Sequence, residues 1–186
     1  MFFYFCLASP LLFLTNALLL GIIASHYNPK DTAISQLVYT DVGIWQTLNF
    51  LVFGVLSLWL SFYIYRMDSV NHFDKILVAS GALAFGLCLV LVGIFKTDLV
   101  GTSTITGTIH SLVFISTVVI QGILQMWFAS RRINTPIGIY YLISGIVTLI
   151  ALVAMNQVPS FRGIAQRTLV AAITLWITTG SIIVRI

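Results

Sequence analysis

Six long apolar stretches, at about 2–24, 44–64, 76–95, 110–130, 137–155 and 168–185, alternate along the chain with shorter polar ones. Each is near the roughly 20 residues that carry an α-helix across a hydrocarbon core. A backbone in lipid must satisfy its own hydrogen bonds, so the stretches read as helices. No internal repeat or low-complexity linker divides them. The pattern predicts an all-α fold: a single domain over residues 1–186, built as a compact bundle of six transmembrane helices. The first stretch has no Lys or Arg ahead of it and no small-x-small cleavage site behind it, so it reads as a retained helix rather than a signal peptide. After it, Asp31 or Thr32 is placed to cap a short interfacial helix with Ile34, Leu37 and Val38 as its apolar side.

The polar connections are unequal. Those after the second and fourth helices, Tyr65–Lys75 and Arg131–Pro136, are short and start near basic residues. Those after the first, third and fifth, Ser25–Gly43, Lys96–Ile109 and Asn156–Arg167, follow odd-numbered helices and therefore share one side of the membrane. They carry His26, Asp31, Asp41, Asp98, Arg162 and Arg167, with His110 at the edge. The third connection, running through Gly101 and Gly107, is so rich in Thr, Ser and Gly that it reads as a spacer between Asp98 and His110.

Helical periodicity adds direction. At about 100° per residue, His110, Thr117 and Gln121 fall within about 40° of each other, with Gln125 not far off. Such a stripe is too costly to face lipid and is expected to look into the bundle. Arg167, Ala171, Thr174, Thr178 and Ser181 make a second small, polar face, and Ala79, Ala82, Gly86 and Gly93 a stripe suited to close helix contact. His110 and Arg167 each head an inward stripe, which predicts a shared pocket.

Composition agrees with lipid as the solvent: 59% of residues are hydrophobic and 8% charged, against roughly 25% charged in a soluble domain. All five carboxylates are Asp, and the net charge of +4 is scattered over helix ends. That distribution argues against nucleic acid and for membrane lipids as partners. Five basic residues on the side of the termini and short loops face four on the other. With the Arg131-Arg132 doublet, this leans toward cytoplasmic termini in a plasma (cytoplasmic) membrane. Cys6 and Cys88 lie in apolar stretches and read as buried thiols. Tyr27, Tyr39, Trp45, Tyr63, Tyr65, Trp127, Tyr140 and Tyr141 sit near helix ends as interfacial belts do. No cofactor is implied, and no span holds the interior lysine a retinal Schiff base needs.

The chemistry-bearing residues allow several readings. A carboxylate bonded to imidazole makes a general base, so Asp98 as orienter and His110 as acid/base are the candidate catalytic pair. The bland alternative is a helix cap at Asp98 and an interfacial histidine. Arg167, with Gln166 beside it, could grip a phosphate or carboxylate, or simply anchor a helix end. Asp31, Ser35 and Gln36 would be lid contacts, or ordinary polar positions of an interfacial helix, and Gln121 an inward binding amide. A metal site from His26, His110 and a carboxylate lacks HxxxH or HExxH spacing, so no metal is assigned. A serine nucleophile at Ser35 or Ser111 lacks GxSxG.

Asp31-Thr32-Ala33-Ile34-Ser35-Gln36-Leu37, Gly93-Ile94-Phe95-Lys96-Thr97-Asp98, His110, and Gly163 with Gln166-Arg167 together resemble the DUF998 family of prokaryotic six-helix membrane proteins. Gln36 stands where a Glu is expected in that pattern, and Lys96 where Pro is common. The resemblance implies the helix count and a shared polar face, and brings no reaction with it. The expectation is therefore an interfacial polar pocket. Its occupant would be a lipid or isoprenoid-type substrate, turned over by His/Asp acid–base chemistry. Non-catalytic lipid binding or membrane assembly is the alternative, and a small transporter stands third.

Overall fold

The structure, a computed structural model, describes residues 2–68, 71–99 and 102–185; Gly101, part of the expected spacer, lies outside them. Six α-helices follow in order: α1 (Phe2–Ile23), α2 (Gly43–Arg66), α3 (His72–Ile94), α4 (Ile105–Ser130), α5 (Pro136–Gln157) and α6 (Arg162–Ile183). A 3-10 helix, Ile34–Tyr39, follows α1, and a 3-10 turn, Pro159–Phe161, precedes α6. Sequence neighbours pack side by side, α6 closes the ring against α1, and α3 touches α6 across the middle. The first five α-helices are long and apolar enough to cross a membrane, with mean hydropathy from 1.8 to 2.5. The sixth has 22 residues but turns Gln166, Thr174, Thr178 and Ser181 inward, so its polarity is hidden from lipid. This is a multi-pass membrane protein.

Several helices begin earlier than the apolar stretches suggest, because side-chain caps carry them into the polar zone. Asn71 accepts from Asp74 N at 3.2 Å to start α3, and Thr104 accepts from Gly107 N at 3.0 Å to start α4. The short helix after α1 also departs from expectation. It is a six-residue 3-10 helix whose N-cap is Ala33, not Asp31 or Thr32. The orphan N–H of Ile34 is taken instead by Gln166 of α6, and that of Ala33 by Gln36. Of its expected apolar side Ile34 and Leu37 are buried and Val38 partly so, with Ser35 buried beside them.

The polar stripe of α4 is buried throughout. At its middle, Gln121 donates to Gly81 O of α3 at 2.7 Å and accepts from Trp176 Nε1 of α6 at 2.9 Å. Trp176 in turn stacks edge-to-face with Phe128 and Tyr141. Gln121 is therefore a satisfied three-helix knot in the core. At the end holding the short loops, Asp74 is fully buried and pairs with Arg131 at 2.9 Å and with Arg132. Both cysteines are buried and free.

Candidate functional site

The first connection is drawn onto the bundle by α6. Arg167 donates to Pro29 O at 2.8 Å, to Thr32 O at 3.2 Å and to Tyr27 Oη at 2.5 Å. Tyr27 itself donates to the carbonyls of Thr32 and Ala33, both at 3.0 Å. Gly163 is required at this crossing, since a Cβ there would strike the Pro29 and Thr32 carbonyl oxygens. Gln166 Oε1 accepts from Ile34 N at 2.5 Å, and Tyr39 Oη donates to Thr97 O of the third connection at 2.6 Å. A second anchor lies at the loop's base, where Asp41 accepts from Ser25 N and Oγ. These bonds hold the Asp41 carboxyl below its usual range.

The third connection is organised by Asp98. Its carboxylate accepts from Thr104 N at 3.0 Å and Thr104 Oγ1 at 2.7 Å. Those bonds keep its proton affinity below the ordinary carboxylate value, Thr104 being the main cause and the nearby imidazole a lesser one. Asp98 also presses on Gly107, where any Cβ would collide with the carboxylate. His110 is buried, and its Nδ1 lies 2.7 Å from Phe95 O. A carbonyl can only accept, so Nδ1 carries the proton and Nε2 is the basic nitrogen of the neutral ring. The backbone of Phe95, with that of Val92 beside it, orients His110; Asp98 acts on it only through space.

Between these connections lies a cavity of about 320 Å³, lined by Ser35, Gln36, Asp98, His110, Ser111, Asn156, Arg162 and Gln166 among others. Five of the candidate residues, His110, Asp98, Gln166, Ser35 and Gln36, meet there. The other three do not. Arg167 is spent on the first loop, Gln121 lies deeper in the bundle, and Asp31 is exposed, accepting from Asn28 and Thr32 side chains. The cation lining the cavity is Arg162, at the first position of α6, joined by Asn156 from the end of α5. Periodicity missed Arg162 because it sits ahead of the apolar stretch. Its one sequence signal is its place on the same side as the other long connections. Among the described residues, no three His, Cys, Asp or Glu side chains converge as metal ligands do.

Beneath this polar cavity is an apolar one of about 40 Å³, walled by Phe13, Phe50, Phe85, Leu89, Val118 and Ile173 with others. Ser35, His110, Phe114 and Gln166 border both spaces. The site thus has a polar mouth and an apolar throat with His110 at the junction.

The family model described as "Protein of unknown function (DUF998)" matches residues 6–182. The chain belongs to the DUF998 family. That match covers α2 to α5 entire, nearly all of α1 and α6, and both connections that build the cavity. The DUF998 resemblance in the first loop and at Gly163, Gln166 and Arg167 describes two halves of one contact. Gly93–Asp98 and His110 likewise meet through the Phe95 carbonyl. No curated protein and no solved structure matches the chain.

Proposed function

We propose that this DUF998 protein binds an amphipathic lipid or isoprenoid-type molecule, polar end in the Arg162–Asp98 cavity, and acts on it by acid–base chemistry at His110. The observation carrying this reading is the border shared by polar and apolar cavities, with His110 on it. Arg162 supplies a cation for a phosphate or carboxylate, and Ser35, Gln36 and Asn156 supply hydrogen bonds. Nε2 of a neutral His110, its tautomer held by Phe95 O, is suited to take a proton and return it. In this reading the cavity faces the extracytoplasmic interface, with both termini in the cytoplasm of a plasma-membrane protein.

A second reading, non-catalytic lipid binding or assembly, is favoured by one feature. The Asp98 carboxylate is committed to Thr104, and no side chain bonds His110 among the described residues. His110→Asn separates the two, because the Asn amide can still donate to Phe95 O while lacking a base. Lipid profiles of cells carrying wild type or His110→Asn, with mass spectrometry of lipid bound to each purified protein, are the test. The enzymatic reading expects a lipid pool changed by wild type and not by His110→Asn, with both proteins binding lipid. Equal pools with lipid bound to both would leave only the binding role. Absence of bound lipid in both would sink the two readings together.

A further inference from the structure

Resting on that reading, we propose that a hydrocarbon chain of the bound molecule passes between the bilayer and the bundle interior through the α3–α4 seam, with Cys88 and Thr117 as its gate. The argument starts from volume. About 40 Å³ of apolar cavity holds roughly three or four water-sized groups at about 10–15 Å³ each. A lipid chain, by contrast, covers about half of a hydrocarbon core roughly 30 Å thick. A chain entering the throat must therefore leave through one of its walls.

The walls are not equivalent. Toward α1 and α2 the throat is closed by packed aromatic rings, with Phe13 centred 5.5 Å from Phe50 and, edge-to-face, 6.0 Å from Phe85. Lateral grooves do exist on the α1–α2 and α2–α3 faces, but neither shares a lining residue with the throat. On the α3–α4 face lies a groove of about 370 Å³, and Cys88 and Thr117 line both it and the throat. The partition is thus two small, buried side chains that line the throat on one side and the groove on the other. Leu87, Leu91, Leu112 and Ile120 give the groove an outer lining matched to an acyl or isoprenoid chain already in the bilayer.

The test uses the full chain in vesicles of phosphatidylethanolamine and phosphatidylglycerol, doped with a phospholipid bearing a diazirine in mid-acyl chain. After irradiation, adducts are mapped by peptide mass spectrometry. The gate predicts adducts on Leu89 or Val118, which face the throat, as well as on lipid-facing Leu87 and Leu112. Thr117→Phe should cut the throat adducts by about tenfold and leave those in the groove; Cys88→Phe gives a second plug should the first not fold. Groove adducts alone on the wild-type chain, or throat adducts undiminished by a folded plug variant, would overturn the gate. The His110→Asn lipid profile reports the polar end independently. Groove-only adducts beside a changed lipid pool would remove the gate and leave the pocket reading standing. Throat adducts without a changed pool would keep the gate on a binding protein.

Discussion

Replacing Arg167 by Met keeps the apolar stem and removes the guanidinium that holds the first connection. Three of its bonds reach that segment: to Pro29 O, Thr32 O and Tyr27 Oη. Hydrogen bonds to charged groups contribute about 1.5–3 kcal/mol each when well buried. Pro29 is exposed and Arg167 half-buried, so water replaces part of what is lost, and about 1 kcal/mol per bond is the better figure. The loop should then open more easily by about 3 kcal/mol, or roughly two orders of magnitude in its opening equilibrium. Hydrogen–deuterium exchange in detergent or nanodiscs reads this directly. The amides of Thr32 and Gln36, bonded to Asn28 O and Ala33 O, should exchange about a hundredfold faster, while amides around Gln121 keep wild-type rates. Unchanged exchange over residues 28–37 would refute the assignment of Arg167 as the loop's clamp. Uniformly faster exchange across all helices would refute it too, by making Arg167 a general stability residue.

The remaining expectations concern other anchors. Asp98 has a lowered folded-state pKa, so its support of the α4 start is fully present above the ordinary carboxylate pKa. It is lost only as pH falls through the lower folded value. The Thr104 and Gly107 amides should lose protection below about pH 4, and Asp98→Asn should abolish that dependence. Gln121→Leu strands Trp176 Nε1–H in the core and removes the side-chain bond to Gly81 O, which keeps its own helical bond. It should lower unfolding stability by about 1–2 kcal/mol, measured by denaturant titration with Trp fluorescence; a neutral effect would show the knot to be dispensable. Asp74→Asn leaves Arg131 and Arg132 facing each other without their carboxylate. Since 39% and 23% of those arginine side chains are exposed, the cost should be about 1–2 kcal/mol rather than the 3–5 of a fully buried pair. Added salt should reduce it in thermal melts; no change in Tm at low salt would count against the pair.

Hydropathy made the spans legible because crossing lipid imposes a length and a polarity that few other constraints blur. It placed the starts of α3 and α4 too late, since it reports the stretch matched to lipid and not where the caps Asn71 and Thr104 begin the helix; α6 also starts early, directly after the 3-10 turn and without a side-chain cap. Helix parity brought the three long connections to one side, and periodicity turned His110 and Gln121 inward, where the structure has both buried. Neither signal could show that Gln121 meets Trp176 and not a ligand, because its partner lies 55 residues away. Nor could they separate Arg162 from Arg167. Five positions apart on α6, the two diverge by about 140° around the helix. Arg167 does reach inward, but the first loop occupies that space, and the cavity falls to Arg162.

The family-like positions fall into two contacts, and in both a side chain reads backbone. Gln166 and Arg167 grip the carbonyls and N–H of the Pro29–Ile34 stretch, which Gly163 lets approach α6, while His110 reads the Phe95 carbonyl. Asp98 does the same at Thr104 N. Side chains that read backbone fix where a loop sits, so a residue's place in the motif is an argument for geometry before it is one for chemistry. Arg167 and Gly163 then need no contact with a bound molecule to matter: without them the 3-10 helix carrying Ser35 and Gln36 has lost its seat. A chemical role requires a further condition, that the side chain also borders the cavity. His110, Gln166, Ser35, Gln36 and Asp98 meet it. Of these, Gln166 and Gln36 hold backbone N–H groups and are amides without a useful base, and Asp98 is bound to Thr104. Ser35 has no base bonded to it among the described residues. Among the described residues bordering both cavities, the imidazole, with Nδ1 anchored on Phe95 O, is therefore the group on which the proposed acid–base reading rests.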